Sequence, residues 1–304
     1  MRAPTVFSFI AVLLGLLGLL GCGGPSQTDA QIQDALGRWV RITLPIDRVV
    51  SIAPSMTELV FEAGAGEKLI AASSSDDYPP SVDTLPRFGV NPVNLEAIVA
   101  LAPTLVLATD QINHPDQIEP LQRLGISTYF FSFRELTDVP DALRRIGRMF
   151  GTSTIADPRA DSLDQLIDSL TNRTSLASIR PRVLVLVGSD PLHAFGRGSY
   201  VHDVIRRAGG ESLTRNLPTP APVLSEEYVL RSGAEIIIGA DSTVFTPARL
   251  AELRPGWDLL PALANERVYF IDPDLLFRPG PRLIESAYRI ARVLHPELMT
   301  SARK

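Results

Sequence analysis

Thiols are almost absent from this chain. Cys22 is the single cysteine in 304 residues, which excludes a disulfide framework and a zinc or iron–sulfur site built on cysteine. Histidine is nearly as scarce: His114, His193, His202 and His295 include no close pair, so no metal site is expected from them. Lysine is reduced to Lys68 and Lys304. The common catalytic signatures are missing as well. There is no G-x-S-x-G elbow, no H-E-x-x-H and no G-x-x-x-x-G-K-S/T. Gly64 and Gly66 begin a G-x-G, but Leu69 stands where a third glycine belongs. The adjacent carboxylates Asp76 with Asp77 and Glu226 with Glu227 do not suggest an acid/base dyad, because sequence neighbours on a helix point apart. A net charge of −5 offers no basic surface for nucleic acid or an anionic membrane.

What is present describes a folded protein. Apolar residues make up 45% and charged residues 21%, too apolar for disorder and long enough for one or two domains with real cores. The start of the chain carries Arg2 and then an apolar run from Val6 to Leu20. That run, roughly fifteen residues, is short for a bilayer span and has the form of a secretory signal. It ends in Leu19, Leu20, Gly21, Cys22, which resembles the lipobox of bacterial lipoproteins, where the signal is cut before a cysteine that becomes lipidated. We therefore expect residues 1–21 to be a signal peptide and 22–37 to be the lipidated Cys22 with a flexible tether. The mature protein is expected on the extracytoplasmic face, attached to the membrane by lipid alone.

Beyond the tether, apolar runs alternate with amphipathic periodicity. Strands are expected at 49–52, 69–72, 105–108, 128–131, 183–187, 236–238 and 268–271. Helices are expected at 56–63, 95–101, 117–124, 139–149, 200–208, 226–231 and 281–294. This alternation predicts an α/β fold with mostly parallel sheets. Between the two sets lies one long helical segment. Asp157 and Pro158 read as its N-cap and first position, and Leu163, Leu166, Ile167 and Leu170 form its apolar stripe. Extended at about 1.5 Å per residue it would reach roughly 33 Å, enough for a strut between two lobes; an ordinary domain helix fits the periodicity equally. The predicted domains are 38–152, a connecting helix at 153–180, and 181–304.

Asn94 to Ala108 (NLEAIVALAPTLVLA) and Ser225 to Gly239 (SEEYVLRSGAEIIIG) are internal counterparts. Each has a capping residue, a glutamate two places later, a short helix and an apolar strand. Glu96 and Glu227 thus hold equivalent positions, where a carboxylate also favours the helix macrodipole by about 0.3–1 kcal/mol.

Taken with RVVSIAPSMTEL at 48–59, DYPP at 77–80, SYVHDVIRRAGGESL at 199–213 and RPGPRLIESAYRIARVLHPEL at 278–298, these segments resemble the helical-backbone substrate-binding proteins of ABC importers. Those importers carry cobalamin, ferric siderophores and haem. The resemblance covers about residues 38–299. It implies two α/β lobes joined by one long rigid helix, with the ligand in the cleft between them and little lobe motion. It also implies that Glu96 and Glu227 dock on arginines of the membrane permease, whose partner ATPase supplies the energy. The protein itself is expected to be a monomer with no resident cofactor and no enzymatic activity; its ligand is a metal chelate such as a ferric siderophore or cobalamin.

If the fold is of this kind, several segments face the cleft. Pro54 and Ser55 open a helix, with Ser55 and Glu58 matching the S-x-x-E capping pattern. Ser75 and Tyr78 lie in the loop around Pro79, and Val90 and Asn91 follow. His193, Phe195 and Arg197, and then Asp274, Phe277 and Arg278, come from the second lobe. Arginines there suit carboxylate or catecholate chelates, and aromatics suit a flat macrocycle. Val90 and Ala221 stand where tryptophans occur in similar cobalamin binders, and Ser75 where a tyrosine does, a departure that weakens cobalamin itself and leaves a ferric siderophore or a related cobalamin precursor open. An alternative is a lipoprotein hydrolase or metal-dependent enzyme using cleft carboxylates such as Asp76 and Asp274.

Overall fold

The computed structural model describes residues 28–89 and 92–300. Cys22 and the expected signal peptide, and also Val90 and Asn91, lie outside the described residues. The chain begins with β1 (Thr28–Gln33) and β2 (Trp39–Leu44), an antiparallel hairpin. The first lobe follows: β3 (Val49–Ser51), α1 (Pro54–Glu62), β4 (Leu69–Ser73), β5 (Arg87–Phe88), α2 (Leu95–Ala100), β6 (Leu105–Thr109), α3 (Pro115–Arg123), β7 (Ser127–Phe131) and α4 (Asp138–Phe150). After the long α5 (Ser153–Thr174) comes the second lobe. It holds β8 (Arg182–Leu186), α6 (Val201–Arg207), β9 (Glu211–Ser212), α7 (Glu226–Ser232), β10 (Ile236–Gly239), α8 (Pro247–Leu253), α9 (Pro261–Ala264), β11 (Val268–Phe270), α10 (Pro273–Leu276), α11 (Leu283–Leu294) and α12 (Pro296–Met299).

Both lobes are parallel sheets with helices on their faces. The first has strand order β5-β4-β3-β6-β7 and the second β11-β10-β8-β9. Strands buried on both faces read as near-continuous apolar runs; all residues of β3, β6 and β10 are buried accordingly, with Ser51 and Thr109 the polar residues at the carboxyl ends of β3 and β6. The chain leaves β3 toward β4 and β5, then returns to place β6 on the other side of β3. That reversal opens a crevice at the carboxyl ends of β3 and β6, the usual ligand position in open α/β sheets.

The two lobes share one continuous apolar core. It runs from Met56 and Leu59 of α1, through Ile167 and Leu170 of α5, to Val204 of α6 and Ala287 of α11. The 22-residue α5 is its spine. The residues it buries are Ala156, Ala160, Ile167, Leu170 and Thr174, so small side chains let its first half approach α4 closely. Gly147 of α4 is part of that approach, since a Cβ there would lie 2.4 Å from the Ala156 Cβ. Arg144 of α4 adds ion pairs to Asp161 and Asp164 of α5 at 2.5 and 2.6 Å.

Three expectations need correction. The segment 22–37 is not all tether: Thr28–Gln33 pairs with Trp39–Leu44. The turn between them is built by Asp34, whose buried carboxylate accepts from the N–H groups of Leu36 and Arg38 and from the Arg38 guanidinium. The long helix begins at Ser153, so Asp157 is not its N-cap and Pro158 sits inside it. Its apolar face is also rotated, because Leu166 is exposed while Ala156 and Ala160 are buried.

Candidate functional site

The first lobe supplies the cleft from the carboxyl ends of three neighbouring strands. Pro54 and Ser55 follow β3, Ser75 follows β4, Thr109 ends β6, and Gln111 and Ile112 follow it; with Phe277, Arg278 and Pro279 of the second lobe they line one cavity of about 160 Å³. The strand ends are cross-linked by Asn113. Its buried amide accepts from the Thr109 N–H at 3.1 Å and donates to the Ile52 carbonyl at 3.2 Å, which fixes the crevice between β3 and β6. Asp76, beside Ser75, is buried and accepts from the Ser73 N–H at 2.8 Å. Its Oδ1 is buried without a partner, and burial holds this carboxyl above its usual range.

The second lobe answers with α10 and the loop after it. Phe277 packs tilted on Phe195 with ring centroids 5.1 Å apart, an edge-biased aromatic pair facing the cleft. Arg278 donates to Asp77 at 2.5 Å and to the Ser75 carbonyl at 3.2 Å, both in the first lobe, and pairs with Asp274 of its own lobe at 2.7 Å. The guanidinium beside Asp77 holds that carboxyl below its usual range, whereas burial pushes the Asp274 carboxyl up. Arg278, expected to face the ligand, is therefore already matched by two carboxylates.

Deeper in, Glu58 of α1 receives two bonds from Arg282, at 2.7 and 3.1 Å. Glu58 is 1% exposed in its side chain and Arg282 22%. A buried carboxylate needs such a partner, and this need displaces the S-x-x-E capping expected between Ser55 and Glu58: α1 has Ala53 as its N-cap and no side-chain cap. Burial raises the Glu58 carboxyl, and Arg282 works against that rise. Gly280 belongs to this contact, because a Cβ there would come within 2.9 Å of Glu58 Oε2. Arg282 also lies over the Tyr78 ring at 4.2 Å.

The structure brings Pro54, Ser55, Ser75, Phe277 and Arg278 together, with Phe195 and Asp274 one contact behind. It separates the others. Tyr78 lines a different depression, with Glu58, Leu166, Arg282 and Tyr288. His193 is held in a bridge to Val223, and exposed Arg197 bonds back to its own lobe at Asn216 and Leu217. Thr109, Gln111, Ile112 and Asn113 escaped the sequence reading; the signal available was their position directly after an apolar strand. A larger cavity, about 870 Å³, lies elsewhere, on the flank of the first lobe under the β1–β2 hairpin and α4. It draws on one lobe only and lies away from the carboxyl ends of β3 and β6. Among the described residues no cluster of three or more His, Cys, Asp or Glu side chains is placed to hold a metal ion, and no helix is long and apolar enough to cross a membrane.

The internal repeat holds in structural detail. Asn94 caps α2 by accepting from the Ala97 N–H at 3.0 Å, and Ser225 caps α7 by accepting from the Tyr228 N–H at 3.1 Å. Glu96 is exposed and has no ion-pair partner among the described residues. Glu227 is exposed and, among the described residues, pairs only with Arg231 one turn on. Glu226 differs: it accepts from Trp257 Nε1 at 2.6 Å and pairs with Arg254, so it is tied into the lobe.

The model of the periplasmic binding protein family matches residues 49–275. The chain belongs to that family. A relative of Bacillus subtilis strain 168, described as an uncharacterized ABC transporter substrate-binding lipoprotein, is 27% identical over 94% of this chain and 96% of its own length. A vitamin B12-binding protein of Pectobacterium carotovorum is 32% identical over 81% of this chain and 88% of its own length. Among solved structures, the periplasmic vitamin B12 binding protein of Vibrio cholerae superposes with a TM-score of 0.73 at 25% identity. That match covers 82% of this chain and 97% of that one. Family membership makes the chain an extracytoplasmic binding protein and not an enzyme, which sets aside the hydrolase alternative.

Proposed function

We propose that this protein is the substrate-binding component of an ABC importer and that it captures a cobalamin-type metal chelate between its lobes. The cleft's composition carries the reading. Its first-lobe lining sets the hydroxyls and amide of Ser55, Ser75, Thr109 and Gln111 among the apolar Pro54 and Ile112, opposite the flat ring of Phe277. Such groups suit a macrocycle edged with amides. A polyanionic ferric chelate would instead require unmatched cations, and Arg278 is matched by Asp77 and Asp274. The relatives named for vitamin B12 binding support the same choice. In this reading Glu96 and Glu227, one per lobe, engage the permease, and a lipid on Cys22 holds the protein at the membrane.

Calorimetric titration of residues 28–300 with cobalamin, cobinamide, haem, a ferric hydroxamate and a ferric catecholate tests the ligand. Intrinsic fluorescence is a poor probe, since Trp39 lies in the hairpin and Trp257 in the second-lobe core. Cobalamin or cobinamide is expected to bind one to one. Binding of a ferric chelate alone would reassign the ligand, and binding of none would remove the transport reading. Loss of membrane association on Cys22→Ser in the full chain tests the anchor.

A further inference from the structure

Among the described residues, two ion pairs join the lobes. One, Glu58 with Arg282, is deep; the other, Asp77 with Arg278, stands at the cleft, with the Asp77 side chain 56% exposed and that of Arg278 15%. The cavity bordered by Ser75 and Arg278 holds about 160 Å³, whereas ligand sites run to about 300–1,000 Å³. A cavity of that size is too small for a chelate of the proposed class, and Arg278, bonded to both Asp77 and the Ser75 carbonyl, forms part of its wall. The contact that must give way is the one whose carboxylate is solvent-exposed, because a pair with one exposed partner approaches the surface value of about 0–1 kcal/mol, while the carboxylate of the deep pair is buried on the shared core.

We propose that Asp77 and Arg278 form a strap across the mouth of the cleft, which ligand entry releases, and that the freed Arg278 then donates to an acceptor oxygen at the ligand's edge. This rests on the ligand site proposed above. Asp77 and the ligand compete for one guanidinium, so Asp77 sets affinity without touching the ligand. Asp274 stays with Arg278 and keeps it aimed. The strap also discriminates: a chelate without an acceptor oxygen where Arg278 is released leaves the N–H groups that Asp77 held without an acceptor, with Asp274 alone beside the charge, and binds weakly. The continuous core behind the cleft limits the opening to a small one.

The test has an arm that needs no ligand. Spin labels at Arg123→Cys on α3 and Ala251→Cys on α8, both exposed positions, report the distance between lobes in a Cys22→Ser background. Asp77→Ala and Arg278→Gln are each expected to shift the ligand-free distance distribution to longer values. In the second arm Asp77→Ala raises affinity for the bound chelate roughly two- to fivefold, in line with the small worth of an exposed pair. Arg278→Gln lowers affinity although it opens the same strap. Distances unchanged in both variants, or affinity lowered equally by both, would overturn the strap. Failure of every chelate to bind would refute the ligand assignment instead, which the distance arm keeps separate.

Discussion

The back and the mouth of the cleft are held by different physics. At the back, α5, α1, α6 and α11 share an uninterrupted apolar core, the Glu58–Arg282 pair is buried, and Asp203 of α6 accepts from the Leu136 N–H of the first lobe at 2.9 Å. At the mouth, the contact between lobes is an ion pair with a solvent-exposed carboxylate, Asp77, and one carbonyl. Close-packed cores resist deformation and exposed pairs exchange readily with water. The molecule is thus built to keep its lobes in fixed relation while leaving a small opening under the ligand's control.

The comparison breaks most severely at the spine. Leu170→Ala removes a fully buried side chain from the core shared by both lobes and is expected to cost about 3–5 kcal/mol, read by urea denaturation. Glu58→Ala leaves Arg282 without its partner. A broken buried pair costs about 3–5 kcal/mol, and the part-exposed Arg282 puts this one near the low end. If Glu58→Ala cost no more than Asp77→Ala, the distinction between back and mouth would fail.

A pH profile sharpens the same contrast. Glu58 and Asp76 have raised carboxyls, so between the ordinary carboxylate value and their raised values the folded protein holds more protons than the unfolded chain. Their contribution to stability therefore falls as pH rises through that window. Asp77, lowered by Arg278, contributes in the opposite sense: its stabilisation is present above the ordinary value and is lost as pH falls. Asp76→Asn is expected to flatten the decline with rising pH in denaturation midpoints measured across the acid range, and an unchanged slope would contradict the buried-carboxyl account. The smallest effect is expected far from the cleft. Glu96→Ala and Glu227→Ala should change stability by about 0.5 kcal/mol or less and leave chelate affinity unaltered, while lowering uptake in cells that carry the permease.

Much of this architecture is legible in the residues. The strands at Leu105–Thr109 and Ile236–Gly239 are continuous apolar runs between helices, and the caps Asn94 and Ser225 mark helix starts by their side chains alone. The hairpin strand Thr28–Gln33 is not, because its alternation is short and its outward residues are those of a linker. The helix Pro247–Leu253 had a usable signal in Thr246 and Pro247, and its Thr246 side chain does accept from the Arg249 N–H. The cleft was half legible. Ser55 and Ser75 follow apolar runs, but Gln111 and Ile112 matter only once β6 lies beside β3, which is a fact of topology. The ties between lobes were out of reach, for Glu58 meets Arg282 across 224 residues and Asp77 meets Arg278 across 201. No periodicity encodes such pairs.

The central claim is that a chelate binds where β3, β4 and β6 end. Calorimetric titration of cobalamin into the wild-type domain and into Gln111→Trp, whose bulkier ring would intrude on the 160 Å³ cavity, tests it most directly. The account predicts one-to-one binding to the wild type and its loss in a variant that keeps the wild-type denaturation midpoint. Equal binding by the two proteins, or none by the wild type, would contradict it.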